Sequence, residues 1–305
     1  MKILAGVDGS QKSLDAIRFT ARFLDPTADR FLFYYRPPEI RIEREDHLIP
    51  AIPAEMRADL IQHVFDAAQE MLPAEFSASL ETIVGEKKPS DGLLLAAAQV
   101  RADLIILGAD AKDRSFGPFL GGVARKVARE AAVPVLVYRS SSETSDASRP
   151  LHVLLAHDGS EDSTRAGQQL AQFHWPTDTT AAIVRVMDWI DIRIAGDPRG
   201  PSMWNDDYEK YVADAVERSR DELVAAGAQM PDLLQQQPPI VEQGTAVDTL
   251  CDIAKSKNVD LIVVGPHGHR LGRRVLGATT ESLLHYAPCS VLVSHQYQKR
   301  TLPSF

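Results

Sequence analysis

Leu261-Ile-Val-Val-Gly265-Pro-His-Gly268, running on to Gly277-Ala278-Thr279, decides how this chain folds. Four apolar, mostly β-branched residues in a row spell a strand buried on both faces. Gly265 ends it, and a short basic loop follows with His267, His269, Arg270, Arg273 and Arg274. Beyond Gly277, the residues Thr280, Leu283, Leu284 and Ala287 recur at helical spacing, which predicts a helix over 279–287. Strand, glycine loop and helix start make a layout that can hold phosphate. Glycines let the backbone approach an anion, and the free N–H groups of the first helical turn point at it. Taken alone, the glycines read equally as an ordinary strand-to-helix turn.

The layout occurs twice. Leu104-Ile-Ile-Leu-Gly108 precedes Ala109-Asp-Ala-Lys112 and then Gly121-Gly122, and Ala102-Asp103 before it matches Val259-Asp260. Each copy closes on another apolar strand, Val133-Pro-Val-Leu-Val137 and Cys289-Ser-Val-Leu-Val293. Each also opens alike, with Leu4-Ala-Gly-Val-Asp8-Gly9-Ser10 against Leu154-Leu-Ala-His-Asp158-Gly159-Ser160. The copies are offset by 150 residues at Asp8 and Asp158, 157 at Gly108 and Gly265, and 156 at Pro134 and Ser290. Such drift is that of a duplicated domain with loops of unequal length.

This order of motifs resembles the universal stress protein family: an apolar strand ending in Asp-Gly-Ser, then Ala-Asp-Leu-Ile with two apolar residues and Gly, a glycine loop, and Ala-Pro-Cys-x-Val-Leu-Val. The resemblance spans nearly the whole chain and is that of a tandem member. Each motif is weak alone, but their order and spacing, twice over, are specific. ATP-binding members of that family carry Gly-x2-Gly-x9-Gly-Ser/Thr. The C-terminal half has Gly265-x2-Gly268, then eight residues to Gly277, then Ala278. The N-terminal half keeps nine residues between Ala111 and Gly121, but has Ala111 for the second glycine and Gly122 for the hydroxyl residue. The resemblance implies a cytoplasmic stress-response protein, a regulatory module holding ATP mainly in the C-terminal domain and not an enzyme, with slow ATP hydrolysis left open. Mg would come only with the nucleotide. It implies a site at Ala156, Asp158, Val186, Gly265, His267, Gly268, Arg270, Gly277, Ala278 and Thr279, and a degenerate counterpart at Asp8, Gly108, Gly121 and Gly122. Val186 matches the family position whose backbone faces adenine. Single-domain relatives form dimers, so the halves are expected to pair as an intramolecular pseudo-dimer; a homodimer of the tandem chain stays open. The departures from the motif support an alternative, a member that works through protein contacts or another small ligand.

The chain has 305 residues, which suits about two domains. An apolar content of 44% is enough for two cores. The net charge of −9 argues against non-specific binding to nucleic acid or to anionic membranes. No run approaches the roughly 18 apolar residues of a membrane span. Met1 leads directly into an expected strand, Ile3 to Val7, so no signal peptide is expected. Cys251 and Cys289 form no Cys-x-x-Cys pair, and Cys289 reads as a small buried hydrophobe. A reduced cytoplasm fits.

Strands alternate with helices along both halves. In the first, Ser10 caps a helix with Leu14, Ile17, Ala21 and Leu24 on one face. Phe31 to Tyr35 is the second strand, and Pro37-Pro38 opens a long connection through Pro50 and Pro53. A helix over 54–72 has the apolar stripe Met56, Leu60, Ile61, Val64, Ala68 and Met71. Leu80 to Val84 is a strand, Ser90 or Asp91 caps the next helix, and the helix after Gly122 packs through Val123, Val127 and Ala131. The second half repeats the order, with a long loop containing Gly196, Pro198, Gly200 and Pro201. This predicts two tandem flavodoxin-like (Rossmann-like) domains, each a five-stranded parallel sheet of order 3-2-1-4-5 with helices on both faces. Their expected bounds are 1–139 and 151–305, with the small polar stretch 140–150 as linker. Ligands of such sheets sit beyond the carboxyl ends of strands one and four, which brings Asp8 to Gly108 and Asp158 to Gly265.

Two readings of the individual residues stay open. Asp158 can hydrogen-bond a ribose hydroxyl, or it can close an Asx turn with Gly159 and Ser160. Arg270, Arg273 and Arg274 can neutralise phosphate or form a solvated loop. His267-x-His269 lacks partners for a metal site. His157, beside Asp158, reads as a hydrogen-bonded core residue or a pH-tuned one. No Gly-x-Ser-x-Gly, HExxH or Walker sequence occurs, so no fast catalysis is expected.

Overall fold

The computed structural model describes residues 1–38, 41–44, 47–50, 54–79, 81–109, 120–140, 149–187, 206–267 and 276–295. The chain divides into two compact units, Met1–Ser140 and Ser141–His295.

In the first unit the order is β1 (Lys2–Val7), α1 (Gln11–Ala21), β2 (Arg30–Tyr35), β3 (Arg41–Arg44), β4 (His47–Pro50), α2 (Ala54–Glu70), β5 (Glu81–Val84), α3 (Pro89–Val100), β6 (Leu104–Gly108), α4 (Gly122–Glu130) and β7 (Val135–Tyr138). The main sheet runs β5-β2-β1-β6-β7, every pair parallel. Counted by strands of this sheet, the order is 3-2-1-4-5. The register sets Ala5 between Phe33 and Ile106. Helices α1 and α2 pack together against one face, and α3 and α4 against the other. A sheet covered on both faces needs apolar residues at every position of its inner strands, and this is why β6 reads Leu-Ile-Ile-Leu, all buried.

The second unit repeats the plan: β8 (His152–Ala156), α5 (Glu161–Gln169), β9 (Thr180–Met187), α6 (Asp206–Gly227), β10 (Ile240–Gln243), α7 (Ala246–Ser256), β11 (Leu261–Val264), α8 (Ala278–Tyr286) and β12 (Ser290–Val293). Its sheet runs β10-β9-β8-β11-β12, again parallel and again 3-2-1-4-5. The carboxyl ends of β8 and β11 lie side by side, with the chain leaving β8 toward one face and β11 toward the other. This is the switch point of a doubly wound sheet.

The repeated Asp before the fourth strand belongs to the opposite, amino end. Asp103 accepts the Lys2 N–H at 2.7 Å while its own N–H donates to the Lys2 carbonyl at 2.8 Å. Asp260 does the same with His152, at 2.9 and 2.8 Å, and is also paired with Arg149. The motif residue therefore stitches the starts of strands one and four and takes no part in the mouth.

Four expectations are corrected. The Pro-rich connection after β2 contains a two-stranded antiparallel hairpin, β3 with β4. Helix α3 begins at Pro89 with Lys88 flanking it, so Ser90 and Asp91 lie inside the first turn. Proline suits that first position because its missing N–H would be unpaired there anyway. Asp91 instead hydrogen-bonds Lys126 of α4 at 2.5 Å, which holds its carboxyl below the ordinary value. Met56 and Val123 are exposed; α2 buries Val64, Phe65 and Ala68 in its second half, with Leu72 buried just beyond it, and α4 buries Ala124, Val127 and Ala128.

Candidate functional site

The turn after β8 is built from its own residues. Asp158 Oδ1 accepts the Ser160 N–H at 3.0 Å, an Asx turn. Gly159 sits at φ 88°, a left-handed conformation that favours glycine. Ser160 Oγ then caps α5 by accepting the Ser163 N–H at 3.2 Å, and the Ser163 hydroxyl returns to the Ser160 carbonyl at 2.9 Å. The turn after β1 is its copy: Asp8 accepts the Ser10 N–H at 3.0 Å, Gly9 has φ 79°, and Ser10 accepts the Ser13 N–H at 3.3 Å. Burial opposes the charge on Asp8, but hydrogen bonds from Ser10 and Ser13 outweigh it, so its carboxyl lies below the ordinary value. Of the two readings of Asp158, the Asx turn is present.

His157 follows β8 and is buried, at 3% exposure. Its Nδ1 accepts the Gly159 N–H at 3.2 Å, and its Nε2 meets the Thr164 hydroxyl at 3.1 Å. That hydroxyl donates to the Ser160 carbonyl at 3.1 Å, so it is free to accept from Nε2. The chain of donors assigns a neutral imidazole with its proton on Nε2. Thr164 was not singled out in the sequence, although its place one helical turn beyond Ser160 is the signal that could have found it.

Gly265, which closes β11, is a packing residue. A Cβ there would lie 3.0 Å from the Asp162 carbonyl carbon and 3.1 Å from the Ser163 nitrogen. At Gly108 the corresponding approach, to the Lys12 and Ser13 backbone, is 2.8 Å. In both units the glycine lets the first turn of the helix after strand one rest on the end of strand four. The Gly265 carbonyl accepts the Thr280 hydroxyl at 2.8 Å, and the Gly277 N–H donates to the Pro266 carbonyl at 2.8 Å. These two bonds seat the first turn of α8 against the end of β11. Gly277 flanks that helix and brings no side chain to cap it, and Ala278 and Thr279 are exposed beside it. His267 Nδ1 lies 3.1 Å from Asp162 Oδ2, tying the loop after β11 to α5.

Val186 lies next to last in β9, paired with Glu242 and half-buried; Ala156 ends β8, opposite Val184. The structure thus brings Ala156, Asp158, Gly265, His267, Gly277, Ala278 and Thr279 to the carboxyl ends of β8 and β11, with Val186 on the adjoining strand. Gly268, Arg270, Arg273 and Arg274 lie outside the described residues, as does Ala111. In the first unit Asp8 and Gly108 occupy the matching ends, Gly121 flanks α4 without a capping bond, and a Cβ at Gly122 would meet nothing within 4 Å. Among the described residues no cluster of three His, Cys, Asp or Glu could hold a metal.

Two doubly wound α/β units of one design, each with an Asp-Gly-Ser turn after its first strand, define a tandem protein of flavodoxin-like α/β architecture. The universal stress protein family model matches residues 1–139 and 151–295, and the chain belongs to that family. A universal stress protein A homolog from Coxiella burnetii is 27% identical over 141 residues, 46% of this chain and 93% of the relative. A universal stress protein structure from Archaeoglobus fulgidus superposes with a TM-score of 0.61 at 17% identity, covering 97% of this chain and 96% of that one. A functionally unknown protein from Pseudomonas aeruginosa gives 0.61 at 16% identity, covering 97% and 92%. At these identities the structures speak for the fold alone. Among the described residues no helix is long and apolar enough to cross a membrane.

Proposed function

We propose that this chain is a stress-response regulatory module that binds a nucleotide of the ATP type in its C-terminal domain, without rapid turnover. The observation that carries the reading is the first turn of α8, fastened to β11 through Thr280 and Gly277, with Gly277 in place of a capping side chain. Backbone N–H groups of a first turn without a side-chain cap suit phosphate oxygens, and the helix dipole favours negative charge there. The Asp158 turn at the end of β8 supplies a carboxylate for a ribose hydroxyl, and Val186 supplies backbone for a base. Gly268, Arg270, Arg273 and Arg274 follow Gly265 in sequence and would add charge and close backbone approach. The site takes Mg only with the nucleotide. Nothing in this set positions a water or a metal for hydrolysis, so ATP turnover of about one per second or faster would defeat the binding reading.

A second reading is favoured by Ala278: it is exposed at the helix start but has no hydroxyl to offer a phosphate. On that reading the module works through protein contacts or another small ligand. Mass analysis of nucleotides released from the purified, denatured protein, followed by titration with ATP and Mg, separates the two. Co-purifying or saturably bound nucleotide supports the first; neither supports the second.

A further inference from the structure

The two Asp-Gly-Ser turns share the Asx bond, the serine cap and the returning serine hydroxyl, and they differ at the residue that precedes them. In the first unit it is Val7, buried and apolar; in the second it is His157, equally buried but hydrogen-bonded through both ring nitrogens. We propose that the Asp158-Gly159-Ser160 turn is an acid-released latch, held shut by neutral His157 and opened when its imidazole takes up a proton. Neutral Nδ1 is an acceptor, and the Gly159 N–H points at it from 3.2 Å. A proton added to Nδ1 sets two donors against each other at that distance. Nε2 cannot relieve this, because it is already committed to Thr164, whose hydroxyl is committed to Ser160. The charged ring is accommodated only when the turn lifts and lets Nδ1 reach solvent. Gly159, already in the left-handed region, is the natural pivot.

The charged groups around His157 act in both directions. Asp158 follows it in the chain, and Glu161, Asp162 and Arg165 lie in the first turns of α5. Arg165 bridges Glu161 at 2.8 Å and Asp162 at 3.9 Å, while His267 reaches Asp162 from beyond β11 at 3.1 Å. On β9, Arg185 is the next residue after Val184, the partner of Ala156, and pairs with Glu222 of α6 at 2.5 Å. The carboxylates are thus shared with Arg165, Arg185, His267 and the Ser160 N–H. The positive end of the α5 dipole further opposes an imidazolium. A latch of this kind changes the mouth of the second unit with acid and leaves the first unchanged, whether or not a nucleotide binds there.

The test uses the full chain, with the first unit as internal control. Histidine nitrogen resonances at pH 7.5 are expected to show His157 as the Nε2–H tautomer. Amide hydrogen exchange, corrected for its intrinsic pH dependence, is expected to lose about tenfold of its protection over 158–164 at pH 5.5. That is the factor for a group charging only in the open form with the ordinary imidazole pKa of about 6.5. Protection over 8–14 should hold, and His157→Val, which copies Val7, should abolish the loss. A charged His157 in a protected turn at pH 7.5, unchanged protection at pH 5.5, or an equal loss over 8–14 overturns the proposal. If His157→Val does not fold, the comparison of the two turns within the unmodified chain decides.

Discussion

The Tyr34 hydroxyl is wedged so tightly between Gly85 and Gly92 that a Cβ on either glycine would lie 2.0 Å from it. Burial raises the phenol's pKa, and among the described residues the hydroxyl has no hydrogen-bond partner. Tyr34→Phe should therefore be neutral or slightly stabilising. Gly92→Ala should cost about 1–3 kcal/mol through overpacking. In the Tyr34→Phe background most of that cost should vanish, because the nearest remaining atom, Cζ, is 3.1 Å away. Gly85→Ala should not be rescued, since Cζ lies only 2.4 Å from its Cβ position. Denaturant melts of the two double-mutant cycles check this; equal rescue at both glycines would refute the geometry. Asp8 makes a separate prediction. Its folded pKa lies below the ordinary 3.8, so its contribution to stability is full above that value and lost as pH falls toward the lower folded one. Asp8→Asn keeps the turn acceptor but removes the charge, and should flatten the acid limb of the stability curve. An unchanged acid limb would show that the carboxylate is not held as described.

At the scale of elements, the helix starts differ in kind. Helices α1 and α5 are capped by Ser10 and Ser160, and each serine-to-alanine change should cost about 1 kcal/mol. Helices α4 and α8 start at glycines with no capping bond. On the proposed function, Ala278→Ser should tighten ATP by about fivefold, as one added hydrogen bond worth about 1 kcal/mol requires. Calorimetric titration measures this, and an unchanged Kd would remove the helix start from the site. The strand-helix alternation was legible in the sequence because buried parallel strands such as Leu261–Val264 are unbroken apolar runs. The hairpin at Arg41–Pro50 was not, because its residues mix charge with apolar character and carry no glycine turn. The start of α3 was misread for a related reason: Ser90 and Asp91 are good caps, but Pro89 before them already fits the first helical position.

For the whole molecule, the proposed function predicts one nucleotide per chain. If ATP binds, Gly268→Val should abolish most binding and Ala111→Val should change it little; two equal sites would refute the asymmetry. The two halves betray their common origin in the spacing of Asp-Gly-Ser, Asp-Leu-Ile and Val-Leu-Val, and this alone determined two doubly wound domains of order 3-2-1-4-5 and the family to which they belong. Periodicity and repetition are local or one-dimensional properties, so they survive in the sequence. What Gly108 and Gly265 do was decided only by tertiary structure. Read along the chain they belong to a phosphate loop; in space they make room for the backbone at Ser13 and Ser163, on helices far away in sequence. The same holds for Asp103 and Asp260, which the sequence marks only as matching residues of the repeat and which fold to the end of the sheet opposite the mouth. It holds too for His157, whose ring acquires its fixed tautomer from Gly159 and Thr164 only once the turn has closed around it. Close approach and hydrogen-bond direction depend on which elements the fold brings into contact, and no spacing in the sequence records that.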